Sequence, residues 1–213
     1  MGKPQGNGKQ IVSAGAYATA ADFQQIFTDH VDSLYLLAFL LTGNHEKAEE
    51  CFVAGIGEST KGNHVFKEWA HSWSRRTIIQ SAIRVIAPRE RSATAILNPF
   101  DAAATDKVPL ALRSEVRAIL ELAPFERFVF VMSVLERYSD HDCSILLGCP
   151  RRDITTTRAR AMHQLVRLLA LERKSPADTR STNLVPPDDA ETVIELMIAQ
   201  HFATGALNKR IFR

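Results

Sequence analysis

Ser139-Asp140-His141-Asp142-Cys143-Ser144-Ile145-Leu146-Leu147-Gly148-Cys149-Pro150-Arg151-Arg152 is the stretch that decides the fold. Ser139 is a helix N-cap residue, because its hydroxyl can accept a hydrogen bond from one of the free N–H groups of a first turn. Asp140 and Asp142 then sit at the positive end of a short helix expected over Asp140–Leu147. Gly148 lets the chain reverse where a Cβ would clash, and Pro150 is suited to the first position of a new helix. From about Arg151 to Leu171 the chain is apolar-periodic and strongly basic, with Arg151, Arg152, Arg158, Arg160 and Arg167, and Arg173 just beyond. A short helix, a glycine turn and a long basic helix make a helix-turn-helix pattern. On a helical projection Ile154, Ala161, Leu165 and Leu168 face a core. Arg152, Thr155, Thr156, Ala159, Arg160, His163 and Arg167 face away from it. A major groove is wide enough for such a helix; arginine can fork onto guanine, and threonine can bond a base or a phosphate. The simpler reading of a basic helix face is solvation. The capped short helix, glycine turn and proline beside it favour a DNA-binding face made of Arg151, Arg152, Thr155, Thr156, Arg160, His163 and Arg167.

Working outward, Ser114 is expected to cap a helix reaching Leu122, and Pro124 to open another with Phe125, Phe128, Val129, Met132 and Leu135 as its buried stripe. Towards the N-terminus, Phe23, Ile26, Phe27, Val31, Leu34, Leu37, Ala38 and Leu41 recur at spacings of three and four, which predicts one amphipathic helix ended by Thr42-Gly43-Asn44. A second helix is expected over Glu46–Gly57, acidic at its start (Glu46, Glu49, Glu50) and weakened near its end by Gly55 and Gly57. A third, Val65–Ile86, carries Val65, Phe66, Trp69, Trp73, Ile78, Ile79, Ala82 and Ile83, and Trp69 is expected to be buried against Phe23, Phe27 and Leu34. No segment alternates as a strand must. The expected class is therefore all-α, with two small helical domains and a tail helix. The expected boundaries are a mobile N-terminus at 1–18, a domain at 19–87, a linker at 88–109 rich in proline and alanine, a domain at 110–173, a linker at 174–187, and a tail helix at 188–213 with an apolar stripe of Val193, Leu196, Met197 and Phe202.

Composition removes several functions. The chain has 213 residues, 46% of them hydrophobic and 23% charged, with a formal net charge of +2. This is an ordinary globular balance, neither collagen-like nor disordered. No apolar run reaches the ~18 residues needed to span a bilayer, and the first ten residues hold no apolar signal core, so a cytoplasmic protein without a membrane partner is expected. Cys51, Cys143 and Cys149 are too few for a disulfide framework and read as small apolar side chains. The seven histidines show no metal-ligand spacing, and no phosphate-binding loop, nucleophile elbow or dinucleotide fingerprint is present. Neither an enzyme nor a cofactor is expected. Trp69 and Trp73 with Arg75, Arg76, Arg84, Arg89 and Arg91 combine stacking surfaces with a basic track, as single-stranded DNA requires. The simpler reading places both tryptophans in the core.

These motifs occur in an order that resembles a known family. Leu122-Ala123-Pro124-Phe125-Glu126-Arg127-Phe128-Val129 resembles the opening of the promoter-binding C-terminal domain (region 4) of bacterial RNA polymerase sigma factors. Ser139–Gly148 and Ile154–Leu165 resemble its helix-turn-helix. Phe23–Gly43 followed by Ala48-Glu49-Glu50 is similar to the start of region 2 in the extracytoplasmic-function (ECF) type. The resemblance implies two helical domains, promoter DNA and core RNA polymerase as partners, an anti-sigma factor as a further one, DNA contacts at Arg75 and Arg76 in region 2, and polymerase contacts at Glu49 and Glu50. The sequence departs from the family pattern in places. Cys51-Phe52-Val53-Ala54-Gly55 replaces the usual polymerase-docking run, Arg76 stands where an Asn is usual, and Asp142-Cys143-Ser144 replaces Glu-Ile-Ala. Two other readings stay open: a sigma-like protein-interaction module, and an ordinary helix-turn-helix transcription regulator.

Overall fold

The computed structural model describes residues 16–61, 64–89 and 113–173. The expectations for the extreme N-terminus, for residues 90–109 of the first linker, for the second linker and for the tail helix lie outside these residues. Every regular element among them is helical, as expected for an all-α chain; the only extended pairing is a single antiparallel bridge between Tyr17 and Phe66.

Helix α1 (Ala20–Asp29) opens on Thr19, whose hydroxyl accepts the Asp22 N–H at 3.2 Å while the Asp22 carboxylate takes the Thr19 N–H at 2.8 Å. The single helix expected over Phe23–Leu41 is instead broken at His30 (φ −118°, ψ 22°), and α2 runs Val31–Thr42. The break costs little, because the His30 N–H still donates to Ile26 and the Leu34 N–H to His30, each at 3.0 Å. Gly43 (φ +66°) ends α2 in the left-handed conformation that glycine adopts freely. Helix α3 (His45–Thr60) is capped by Asn44 and runs through both glycines rather than ending at them. At Gly55 a Cβ would lie 2.9 Å from Ile78 Cγ1, whereas Gly57 has open space beside it. Gly55 is thus the point where α3 closes on α4 (Ala70–Ile86), and the Ser59 and Thr77 hydroxyls meet there at 3.1 Å. The expected helix Val65–Ile86 starts late: Val65 and Phe66 are extended, and Lys67–Trp69 is a 3₁₀ turn before α4.

Helix α5 (Arg113–Leu120) contains Ser114 inside it, so that residue is no cap; its hydroxyl donates to Glu115. Pro124 does open α6 (Pro124–Phe130), which widens into a π-helical turn over Val131–Leu135. Helices α7 (Asp140–Leu147) and α8 (Arg151–Arg173) complete the described chain.

Packing joins the two halves, here the described parts of residues 19–87 and 110–173. Helix α2 packs on α3 and α4, and also on α5 and α6. Six consecutive residues, Leu37–Thr42, are therefore buried, because a helix covered from several sides has no polar face. One continuous apolar core runs from Phe27 through α2 to Phe125–Met132 and Leu165. A smaller cluster holds Phe23, Val65, Ala70 and Trp73.

Between the halves lies a buried guanidinium. Arg127 Nε donates to the Leu41 carbonyl at 3.2 Å, and Nη1 to the Leu120 carbonyl at 3.1 Å, so it closes the C-terminal ends of α2 and α5 together. Burial pulls its pKa down to about 10, which still leaves it charged near neutrality. A Cβ at Gly43 would sit 3.2 Å from Arg127 Nη1, so a side chain there would crowd the guanidinium as well as strain the backbone.

Three outcomes follow for stability in urea. Gly57→Ala is expected to stabilise by about 0.5–1 kcal/mol through reduced chain entropy, and Gly55→Ala to destabilise by about 1 kcal/mol because overpacking outweighs that gain. Arg127→Met is expected to cost about 2–4 kcal/mol, since two buried carbonyls lose their donors.

Candidate nucleic-acid interface

The helix-turn-helix is built from local signals. Ser139 Oγ accepts the Asp142 N–H at 3.1 Å and donates to the Asp142 carboxylate at 2.6 Å, fixing the start of α7. Gly148 (φ +65°) ends it, and the Cys149 N–H turns back to the Ser144 carbonyl at 3.1 Å. The Pro150 carbonyl receives the Asp153 N–H at 3.0 Å, which places this proline at the cap of α8 rather than in its expected first helical position. Cys143 is buried beneath the turn, and burial, with Asp140 and Asp142 nearby, pushes its thiol up to about 12. It is a neutral packing group.

Two faces follow along α8. Ile154, Thr157, Ala161, Met162 and Leu165 are buried against α5, α6 and α7, and Leu168 is half-buried. Arg151, Arg152, Thr155, Thr156, Ala159, Arg160, His163 and Arg167 are all exposed. Their side chains are committed to different degrees. Asp140 binds Arg158 Nη1 at 2.6 Å and the Thr155 hydroxyl at 3.1 Å, tying α7 to α8. The Thr156 hydroxyl donates to the Arg152 carbonyl at 2.8 Å. Arg160 reaches Thr157 Oγ1 at 3.0 Å and lies 3.9 Å from Glu126 on α6. Arg152 is 87% exposed, with Asp153 at 3.4 Å. Arg152, Thr156, Ala159, His163 and Arg167 form one stripe about 22 Å long at 1.5 Å per residue. The stripe is longer than a DNA major groove is wide, about 12 Å.

The site residues expected in the first half are placed elsewhere. Arg75 forms a two-pronged ion pair with Glu136 of the second half, Nε to Oε2 at 2.6 Å and Nη2 to Oε1. Both side chains are largely covered. Burial opposes the charge on Arg75, but Glu136 outweighs it and raises the pKa. Arg76, half-buried, lies near Tyr138 in the same segment. The pair proposed for a melted strand therefore faces the second half of the protein. Trp69, expected in the core, is 61% exposed. The 3₁₀ turn ends at it and sets it edge-on to Phe66, 5.4 Å between ring centres, while Trp73 takes the place beside Phe23. Glu49 and Glu50 are exposed on α3, close in sequence to an exposed Val53.

Sequence reasoning missed Arg127 and Glu136 as structural partners. The one available signal, and for Arg127 alone, was the charged pair Glu126-Arg127 inside the otherwise apolar run Phe125–Met132. Among the described residues, no cluster of His, Cys, Asp or Glu is arranged to hold a metal, and no helix is long and apolar enough to cross a membrane. No protein-family model, curated protein or solved structure matches the chain.

Asp140→Ala is expected to destabilise the protein by about 1–2 kcal/mol in urea unfolding, because it removes two side-chain bonds and a favourable charge at a helix start.

Proposed function

We propose that the chain is a DNA-binding protein of the ECF sigma-factor type, which grips duplex promoter DNA through α8 and works with core RNA polymerase. The observation that carries this reading is the outward basic stripe of α8, held on a helix whose opposite face is locked into the core and whose N-terminal half is tied to α7 through Asp140, Thr155 and Arg158. Such a face offers phosphate contacts for affinity and Arg152 for base reading. Glu49 and Glu50 remain available on α3 for the polymerase.

A sigma factor grips two elements, near minus thirty-five and minus ten. These lie about 25 base pairs apart, or about 85 Å at 3.4 Å per base pair. A single body of about 130 residues has a radius of gyration of only about 14 Å. Gripping both elements at once therefore requires the halves to part. The packing of Arg75 and Arg76 towards the second half favours a second reading, a sigma-like module that binds a protein partner such as an anti-sigma factor while closed.

Binding of the parent and of Arg152→Ala and Arg167→Ala variants to several duplexes at two salt concentrations, with and without core polymerase, separates these readings. Loss of a base-reading Arg152 is expected to cost about 1–3 kcal/mol on one sequence. Loss of a phosphate-binding Arg167 weakens all sequences alike and lowers the salt slope by about 0.9. Unchanged affinity in both variants removes α8 from the interface. Failure of the parent to bind any duplex, alone or with polymerase, leaves the protein-interaction reading.

A further inference from the structure

We propose that the outward stripe of α8 has an occupant within this chain, the acidic and apolar segment from Asp188 to Met197. The segment lies outside the described residues. Asp188, Asp189, Glu191 and Glu195 give it four carboxylates, and from Ser181 to Asn208 the sequence holds no lysine or arginine. Val193, Leu196 and Met197 add apolar groups at its far end.

Helix α8 is the complement of that pattern. Between Arg151 and Arg173 it carries six arginines against Asp153 and Glu172. Two of the six are drawn to the body, Arg158 by Asp140 at 2.6 Å and Arg160 towards Glu126 at 3.9 Å. The outward stripe of Arg152, Thr156, Ala159, His163 and Arg167 is exposed along its length. It finishes on Leu171, one turn beyond Arg167 and 65% exposed. A row of cations ending on an exposed leucine thus faces solvent, and a row of carboxylates ending on apolar residues lies further along the same chain. The exposed lysines of the first half offer less, because Lys61 already faces Glu58 at 2.9 Å and Lys67 faces Asp22 at 3.4 Å.

The lengths match. From Arg173 to Asp188 the chain can span up to about 50 Å, more than the ~32 Å back along α8 to Arg152. From Asp188 to Met197 it can span up to about 31 Å, and Arg152 and Leu171 stand ~28 Å apart along the helix. The segment can therefore run alongside α8 with its acids at Arg152 to Arg167 and its apolar end at Leu171. Each exposed ion pair is weak by itself. Tethering raises the local concentration of the segment to roughly the millimolar range, so a weak contact suffices. Where α8 binds duplex DNA, as proposed above, the segment competes for the same arginines. That consequence rests on the DNA-binding reading; the docking does not.

The full chain serves for the test. In NMR spectra without nucleic acid, the α8 amides from Arg152 to Leu171 and the Nε–H signals of Arg152 and Arg167 are expected to move in Asp188→Asn/Asp189→Asn/Glu191→Gln/Glu195→Gln. They should also move in Leu196→Ser/Met197→Ser, which keeps every charge. Leu171→Ser, at an exposed position, is expected to shift the amides of residues 188–197 from the other side. All these differences should persist on dilution. Identical α8 signals in the parent and both double-ended sets of variants overturn the proposal, and differences that fade on dilution do so as well, because they place the segment on a neighbouring copy. Binding of a duplex of random sequence is expected to tighten at least about tenfold in both tail variants, as when about nine-tenths of the parent is occupied by its own segment. Tightening in the carboxylate variant alone reports only the removed charge and contradicts the competition. If α8 signals move but no form binds a duplex, with or without core polymerase, the docking stands and the DNA-binding reading fails.

Discussion

One buried guanidinium sets the arrangement of this protein. Arg127 gives its hydrogen bonds to two backbone carbonyls, Leu41 and Leu120, which close helices from different halves of the chain. The C-terminal end of a helix carries partial negative charge and carbonyls without intrahelical donors. Two such ends brought together make a site for a cation, and a long, flat, multiply donating side chain fits it where an apolar one would leave both carbonyls unsatisfied. Gly43 is part of the same constraint, since a Cβ there would press on the guanidinium.

Because α2 ends in that clamp, it is held with α3 and α4 against one side and α5 and α6 against another. That placement explains why α2 is apolar nearly all round and why one core runs through both halves. It also brings α4 near the segment after the π turn, where Arg75 meets Glu136. The second half is anchored through α6, and α8 in turn packs on α5, α6 and α7, which leaves its basic face directed to solvent. The exposed stripe and the inward arginines of α4 are thus two consequences of one packing arrangement.

The parts of the fold legible in the sequence are those fixed by nearest neighbours. The Ser139 cap, the left-handed Gly148 and the two-faced pattern of α8 need only a few adjacent residues, and they stand in the structure as the sequence predicts. The break at His30 was hidden because the apolar series continues across it and no glycine or proline marks it. Trp69 was misplaced because one 3₁₀ turn changes the angle per residue and shifts every side chain before α4. The contacts between the halves left no periodic trace. Arg127 with Leu41 and Arg75 with Glu136 are polar pairs 86 and 61 residues apart in the chain. Spacing patterns report what a segment buries, not which distant group it meets.

The central claim is that the two halves are one cooperative body joined through α2 and Arg127. Differential scanning calorimetry of the full chain tests it most directly. The account predicts a single transition whose calorimetric and van't Hoff enthalpies agree. Two resolved transitions, with one half melting while the other stays folded, would contradict it.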